Sequence, residues 1–328
     1  MDVRLARPTD APLVLGLVLD EEAHLVKSAE RPAGNPALRT LLRACLPYAL
    51  PGRLWVGQDG PAAGLLEALP RRYVIGWDVT RMAVRGDREA AIAPAVQAAT
   101  NHLRSRGVPR LFARCQEDAA VHLKTSGFHP LARELVLVRP DGPVTGEMPL
   151  PVDSRYRMPQ DAWPLHQLES EITPALVRQM EGLTSMDWSH HPKEMSEIVV
   201  ERDGKLVCWI GWGVKLTHDL YQIGMLVHRD YQDSAPGLLL YVLKTAPGLR
   251  FEARVRDYQY EALECFLQTG FQIVSEEILM MKHARVEAAR VTKKRLHVAR
   301  APVPNVVQNG IGRYAPGQTA PSIHGSAR

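Results

Sequence analysis

Cysteine and aromatic side chains are sparse in this chain of 328 residues: there are 4 Cys, and Phe, Trp and Tyr together make up 6%. Cys45, Cys115, Cys208 and Cys265 lie far apart, with no C-x-x-C pair and no metal-like spacing to histidine. That excludes a disulfide framework or a zinc ribbon and predicts free thiols in a reducing compartment, with no metal. Long hydrophobic runs are missing too. A membrane span needs ~18 largely apolar residues, and the apolar stretch Ala11–Leu19 is cut off by Asp20-Glu21-Glu22. It carries no small-residue cleavage signature, so it reads as a helix face, and the expectation is a cytoplasmic protein that meets no membrane. Acids are scarce at the C-terminal end, where residues 285–328 hold eight Lys or Arg and one acid, Glu287. The net charge of +4 is therefore carried by this tail, whose Pro and Gly favour an extended course. The aromatic patterns of RNA-binding modules are absent from it. That argues against nucleic acid and leaves a protein partner or a second copy of the chain as the surface it would dock on.

What the chain does contain is an internal duplication. Gln116, Ala119, Leu123, Gly127 and Phe128 are echoed at identical spacing by Gln259, Ala262, Phe266, Gly270 and Phe271. The interval from Val84 to Gly127 is the same as that from Val227 to Gly270. Asp59-Gly60 is matched by Asp203-Gly204, and Pro8-Thr9-Asp10-Ala11 by Pro159-Gln160-Asp161-Ala162. A repeat this long duplicates a whole domain, since solenoid units run to only about 20–50 residues. With 45% apolar and 23% charged residues, each copy has the composition to bury a core. The expected division is a first domain over 1–140, a Pro/Gly-rich linker over 141–152, a second domain over 153–284 and the basic tail over 285–328.

Within each copy the patterns predict β-α-α-β-β-β-α-β-α-β. In the first, Pro8-Thr9-Asp10 caps a helix that is expected to take in Leu25 and Val26. Two strands meet near Asp59-Gly60, a favoured hairpin pair, made less regular by Pro61. A strand over 74–84, a helix over 92–106, a strand over 111–115, a helix over 118–126 and a closing strand over 135–138 follow. The second copy repeats the order, with strands at 205–214 and 221–227, helices at 237–245 and 258–269, and residues 273–281 expected to close its sheet. Antiparallel strands followed by a βαβ crossover argue an α/β (α+β) fold, a mixed and mostly antiparallel sheet flanked by helices. Trp209 and Trp212 are expected to pack the sheet, Cys265 to lie in the core, and His190-His191, next to Trp188, to lie in a loop before Pro192.

This order of elements, with the Val-to-loop and Gln-x-x-Ala landmarks, resembles the GNAT N-acetyltransferase superfamily in a tandem arrangement, over roughly residues 1–283. The resemblance implies acetyl-CoA as co-substrate, lying where the central strand splays from its neighbour. The next loop, at a helix N-terminus, would present amides to the pyrophosphate, the physical basis being unpaired N–H groups and the helix dipole. In the second copy Gln232, Ala235 and Gly237 fall on the family's loop positions. The cofactor-binding set the resemblance implies is Leu226, Val227, Gln232, Ser234, Ala235, Gly237, Leu238, Gln259 and Phe266. Pro236 has no N–H to give, Asp233 repels phosphate, and Phe266 stands where the family often has an acid Tyr. The first copy departs further: Glu89, Ile92 and Pro94 occupy the loop positions and Leu123 the Tyr position. It is expected to complete the second copy's cleft or the interface between the copies.

Acetyl transfer requires an amine freed of a proton, an oxyanion donor and a proton for the leaving thiolate. His218 and Asp219, preceding the central strand, are the candidates for the base. Tyr260, with Tyr231, is the candidate for the acid. Residues 172–192 would build the acceptor side, with Glu169, Glu171, Glu181 and Asp187 giving an acidic lining suited to an amine of a small molecule or a protein. Two function classes stay open: an acyl-CoA-dependent N-acetyltransferase working from its second domain, and a GNAT-fold binding or assembly protein that has lost acetyl transfer.

Overall fold

The computed structural model describes residues 1–27, 36–46, 51–71, 76–140, 150–189, 195–216, 220–246 and 249–284. His218, Asp219, the pair His190-His191 and the basic tail lie outside them. The first repeat runs β1 (Val3–Leu5), α1 (Ala11–Leu19), β2 (His24–Lys27), α2 (Pro36–Cys45), β3 (Arg53–Asp59), β4 (Ala62–Pro70), β5 (Trp77–Arg85), α3 (Arg88–Ser105), β6 (Arg110–Cys115), α4 (Glu117–Thr125) and β7 (His129–Val138). The second runs β8 (Ser154–Tyr156), α5 (Ala162–Ile172), α6 (Ala175–Glu181), α7 (Ser185–Ser189), β9 (Ser196–Arg202), β10 (Lys205–Lys215), β11 (Leu220–Val227), α8 (Ala235–Thr245), β12 (Arg250–Arg256), α9 (Tyr260–Gln268) and β13 (Gln272–His283).

Local chemistry accounts for the boundaries. Asp10 and Asp161, one in each repeat, accept from the backbone N–H three residues earlier and are clamped by Arg4 and Arg155, so the repeated Pro-x-Asp-Ala turn starts a helix in both. At the Asp203-Gly204 turn both residues adopt positive φ, 50° and 74°, the geometry that lets a two-residue hairpin follow the strand twist. In the first hairpin only Gly60 is left-handed, φ 56°, as expected with Pro61 next to it. Among the described residues no helix is long and apolar enough to cross a membrane.

The strands form one sheet, in the order β1-β3-β4-β5-β6-β13-β7-β12-β11-β10-β9-β8, with β2 pairing β5 beside this path. Two features depart from the sequence expectation. First, β13 does not close the second repeat's sheet. It lies between β6 and β7, and β7 lies between β13 and β12, so each repeat's last strand has both its neighbours in the other repeat. The alternation of apolar residues that marks a strand is the same whichever neighbour it pairs with, so the sequence pattern cannot reveal the exchange. Second, residues 24–27 form a strand and not a helical turn. Leu25 and Val26 are buried against α3 and β5, and an apolar pair this short satisfies either period.

The main cores follow from this layout. One packs α3 and α4 on the first repeat's strands together with Ile278 and Met280 of β13. The other packs α8 and α9 on the second repeat's strands together with Leu137 of β7. The described residues form one compact unit.

Candidate functional site

In each repeat the central strand has one edge taken by the preceding antiparallel strand and meets the next strand in parallel only at its start. In the second repeat β11 pairs β12 from Leu220–Arg250 to Ile223–Ala253 and then diverges. β10 covers the other edge through Val227. The stretch Gly224–Val227 therefore faces an opening. In the first repeat β5 and β6 pair at Trp77–Leu111 to Val79–Ala113 and also part. There, however, β2 fills the gap: Lys27, Val26 and His24 pair with Arg81, Met82 and Ala83 on the edge β4 leaves free. The chain's own backbone takes the ladder position that a bound extended ligand would need.

The two openings differ on the α1/α5 side as well. In the first, Glu67 and Arg81 are partners in the β4–β5 register, and both are buried. Arg43 pairs with the same Glu67 carboxylate, and Thr40 donates to it at 3.2 Å. At the equivalent register in the second, Gly211 faces Gly224. A Cβ on Gly224 would lie 3.3 Å from the Trp209 ring. The first repeat thus fills its opening with the buried side chains of Glu67 and Arg81, whereas the second leaves room for an indole beside a cavity.

That cavity, about 300 Å³, is lined by Met225 and Leu226 of β11, Arg254 and Arg256 of β12, Glu169 and Thr173 of α5's end, Trp188, Trp209, Tyr258 and Gln259. Arg114 and Glu134, from the first repeat, also line it. A second cavity of about 540 Å³ continues past the strand end, against Val227, His228, Arg229, Lys205, Glu171, Ile172, Glu261 and again Tyr258. Tyr258 stands at the junction of the two.

Glu169 accepts a 2.7 Å hydrogen bond from the Trp188 indole N–H. Burial pushes its carboxyl up to about 7, against the lowering effect of that bond and of Arg256. Trp188 meets Trp209 edge-on at 5.1 Å, and Trp209 donates to Glu197 at 2.8 Å. Arg256 donates from Nη1 to the Tyr258 hydroxyl at 2.7 Å, and Thr173 hydrogen-bonds the same phenol. Burial raises the Tyr258 phenol while Arg256 pulls it back down. Arg256 in turn is held bidentately by Glu181, at 2.7 and 2.8 Å, and by Glu134 at 3.2 Å. Glu134 also accepts from Arg114 at 2.6 Å. Burial opposes its ionisation, but Arg114 and Arg256 outweigh this and hold it down to about 2.

Of the residues singled out from the sequence, the structure brings Leu226, Val227 and Gln259 to the cavities, with the Gln259 side chain accepting from the Arg256 N–H at 3.0 Å. Gln232 donates to Glu264. Ser234 is exposed at the start of α8, and Gly237 is half-buried in its first turn. Ala235 and Leu238 are fully buried, and Phe266 packs edge-on against Phe271 at 4.8 Å. Tyr260 is exposed, hydrogen-bonded to Glu264, and lines neither cavity. The residues before α8 form a tight helix over Arg229–Ser234. There Tyr231 N–H donates to the His228 carbonyl at 2.8 Å, and Ala235 N–H donates to the Tyr231 and Gln232 carbonyls. Those two amides are spent within the turn, and the cations that line the cavity beside Val227 are Lys205 and Arg229. Cys265 lies in the core, where burial raises its thiol to about 12. Glu169 and Tyr258 were not identified as base and acid from the sequence. The signal for Tyr258 was its place immediately before the repeated Gln259; Glu169 was singled out as one of four acids lining the acceptor side, with nothing to mark it among them as the base.

No family model matches this sequence, and no curated protein matches it significantly. Among solved structures, a GCN5-related N-acetyltransferase from Sphaerobacter thermophilus superimposes with a TM-score of 0.52 at 19% identity, over 86% of this chain and 95% of that one. A tandem GNAT protein from the clavulanic acid biosynthesis pathway gives 0.49 at 18% identity, over 87% and 99%. The first likeness shows a GNAT-like fold, and the strand-splay topology, present once in each repeat, shows that the chain carries it twice in tandem.

Proposed function

We propose that the protein is an acyl-CoA-dependent N-acyltransferase that works from the opening of its second repeat and acts on an amine of a small molecule or a protein. The observation that carries this reading is the unpaired edge Gly224–Val227, which separates a polar cavity holding Glu169 from a larger one bearing Lys205 and Arg229, with Tyr258 between them. Acyl-CoA fits that layout: an extended arm can run along the free strand edge, and the two cations suit a diphosphate.

Acyl-CoA would supply the acyl carbon and depart as a thiol. Glu169 takes a proton from the acceptor's ammonium, so that the neutral nitrogen can form the new C–N bond as the C–S bond breaks. Tyr258, with Arg256 stabilising its anion, gives its proton to the leaving sulfur. The second proton on the new amide nitrogen then returns to the tyrosinate, directly or through water, restoring the phenol. A carboxyl titrating near 7 is matched to proton removal at neutral pH. The division of labour between the repeats follows: the first supplies Arg114 and Glu134 and keeps its own slot filled with β2.

The test is acetyl-CoA-dependent release of free thiol over a panel of primary amines, with acetyl-CoA binding measured in parallel. Turnover that falls at least 100-fold in Glu169→Gln supports the reading. Binding without turnover on any amine would favour the binding-protein alternative, to which the inward-turned amides of the 229–235 turn and Pro236 lend weight.

A further inference from the structure

We propose that Glu134, on the last strand of the first repeat, is a positioning residue for the second repeat's chemistry: its carboxylate fixes the Arg256 guanidinium, which fixes the Tyr258 phenol where the two cavities meet. The inference rests on the reading of Tyr258 as proton donor, and its geometry stands on the strand exchange. Because β7 lies beside β12, Glu134 is directly opposite Arg256 in the ladder. The carboxylate is 3% exposed and bonded on one side to Arg114 and on the other to Arg256 Nε. Glu181 takes both terminal nitrogens of Arg256, and the remaining direction of Nη1 goes to the Tyr258 hydroxyl.

A planar guanidinium held on three edges cannot pivot. With Glu134 removed, Glu181 alone remains as its anion, and the fork can swing about that bidentate pair. The hydrogen bond to Tyr258 is then the contact that gives way. A first-repeat side chain would thereby set the aim of a second-repeat phenol without touching the acceptor.

Removing Glu134 has two effects of opposite sign on the phenol. Loss of a negative charge strengthens the field of Arg256 and lowers the phenol's titration. Release of Arg256 removes a bond to the tyrosinate and raises it. Arg114 on β6 loses the same carboxylate and adds to the lowering effect, while the other charged groups around the phenol stay unchanged in the variant: Arg254 on β12, Glu169 and Glu171 on α5, Glu181 on α6, Lys205 on β10, His228 and Arg229 after β11, and Glu261 on α9.

The experiment uses the full chain labelled with ring-carbon-13 tyrosine, the Tyr258 resonance being assigned by its loss in Tyr258→Phe. Positioning predicts that Glu134→Gln titrates Tyr258 at higher pH, while the exposed control Glu276→Gln leaves it unmoved. A downward shift, or none, overturns the proposal, whatever the transferase assay shows. If Glu134→Gln does not fold, Arg256→Lys, which keeps the charge and loses the fork, is read in the same way, with the same outcomes. Where the chain turns over, Glu134→Gln lowers kcat at least tenfold, leaves acetyl-CoA affinity within about twofold, and costs nothing more in the Tyr258→Phe background. Additive losses would mean that Glu134 acts elsewhere.

Discussion

Burial disfavours the ionised form of Glu169 more than the Trp188 indole N–H and Arg256 favour it, so the carboxyl stays protonated up to about 7. The rate on a saturating amine should therefore rise with pH through that value and level off above it, a limb that Glu169→Gln abolishes along with 10²- to 10⁴-fold of rate. Stability runs the other way. A carboxyl whose folded value is raised adds stability that is whole below its unfolded value, near 4.5, and is lost as the pH climbs through about 7. Glu169→Gln should accordingly gain on the parent between pH 6 and 8, by on the order of 1–3 kcal/mol, in paired denaturant melts. For the acid, Tyr258→Phe should lower kcat by at least tenfold, whereas the exposed Tyr260→Phe should leave it unchanged. At this scale the sequence was informative where the repeat supplied landmarks: Val227, Leu226 and Gln259 reach the cavities. It was silent where tertiary folding does the work. Arg114 and Glu134 belong to the other repeat, and no spacing rule joins them to Tyr258.

The elements that matter most are the two that the patterns misplaced. β2 is only four residues long, too short for its apolar pair to declare a period, and it becomes a strand because β5 offers an unpaired edge. Truncating the buried Val26 to Ala should cost about 1–3 kcal/mol of stability, as lost core contacts do, without creating a second acyl-CoA site. β13 and β7 each sit between two strands of the opposite repeat. Residues 150–284 expressed alone would leave β13 without either neighbour, and an unpaired apolar strand is an aggregation hazard. The expected outcome is insoluble or unfolded protein by circular dichroism, and a soluble, cooperatively melting fragment would contradict the exchanged order. Helices α3, α5, α8 and α9 were legible to within a few residues, since amphipathic spacing and caps are local properties.

Across the whole molecule, duplication has produced two similar frames with opposite contents. One opening holds a strand and the buried side chains of Arg81 and Glu67; the other holds Trp209, Glu169, Tyr258 and free volume. The buried junction of Arg114, Glu134, Arg256 and Glu181 ties them together. Breaking one partner of such a network strands a buried charge, at a cost of about 3–5 kcal/mol. The duplicated sheet was readable from the recurring landmarks, and Glu89, Ile92 and Pro94 already marked the first copy as the more altered one; that β2 fills the first slot was not readable, because a slot closes through contacts between residues far apart in the chain. Isothermal titration of the full-length protein with acetyl-CoA tests this asymmetry most directly. One site per chain, lost when Lys205 and Arg229 are both changed to Glu, is the predicted result. Two equivalent sites, or no heat at millimolar acetyl-CoA, would contradict it.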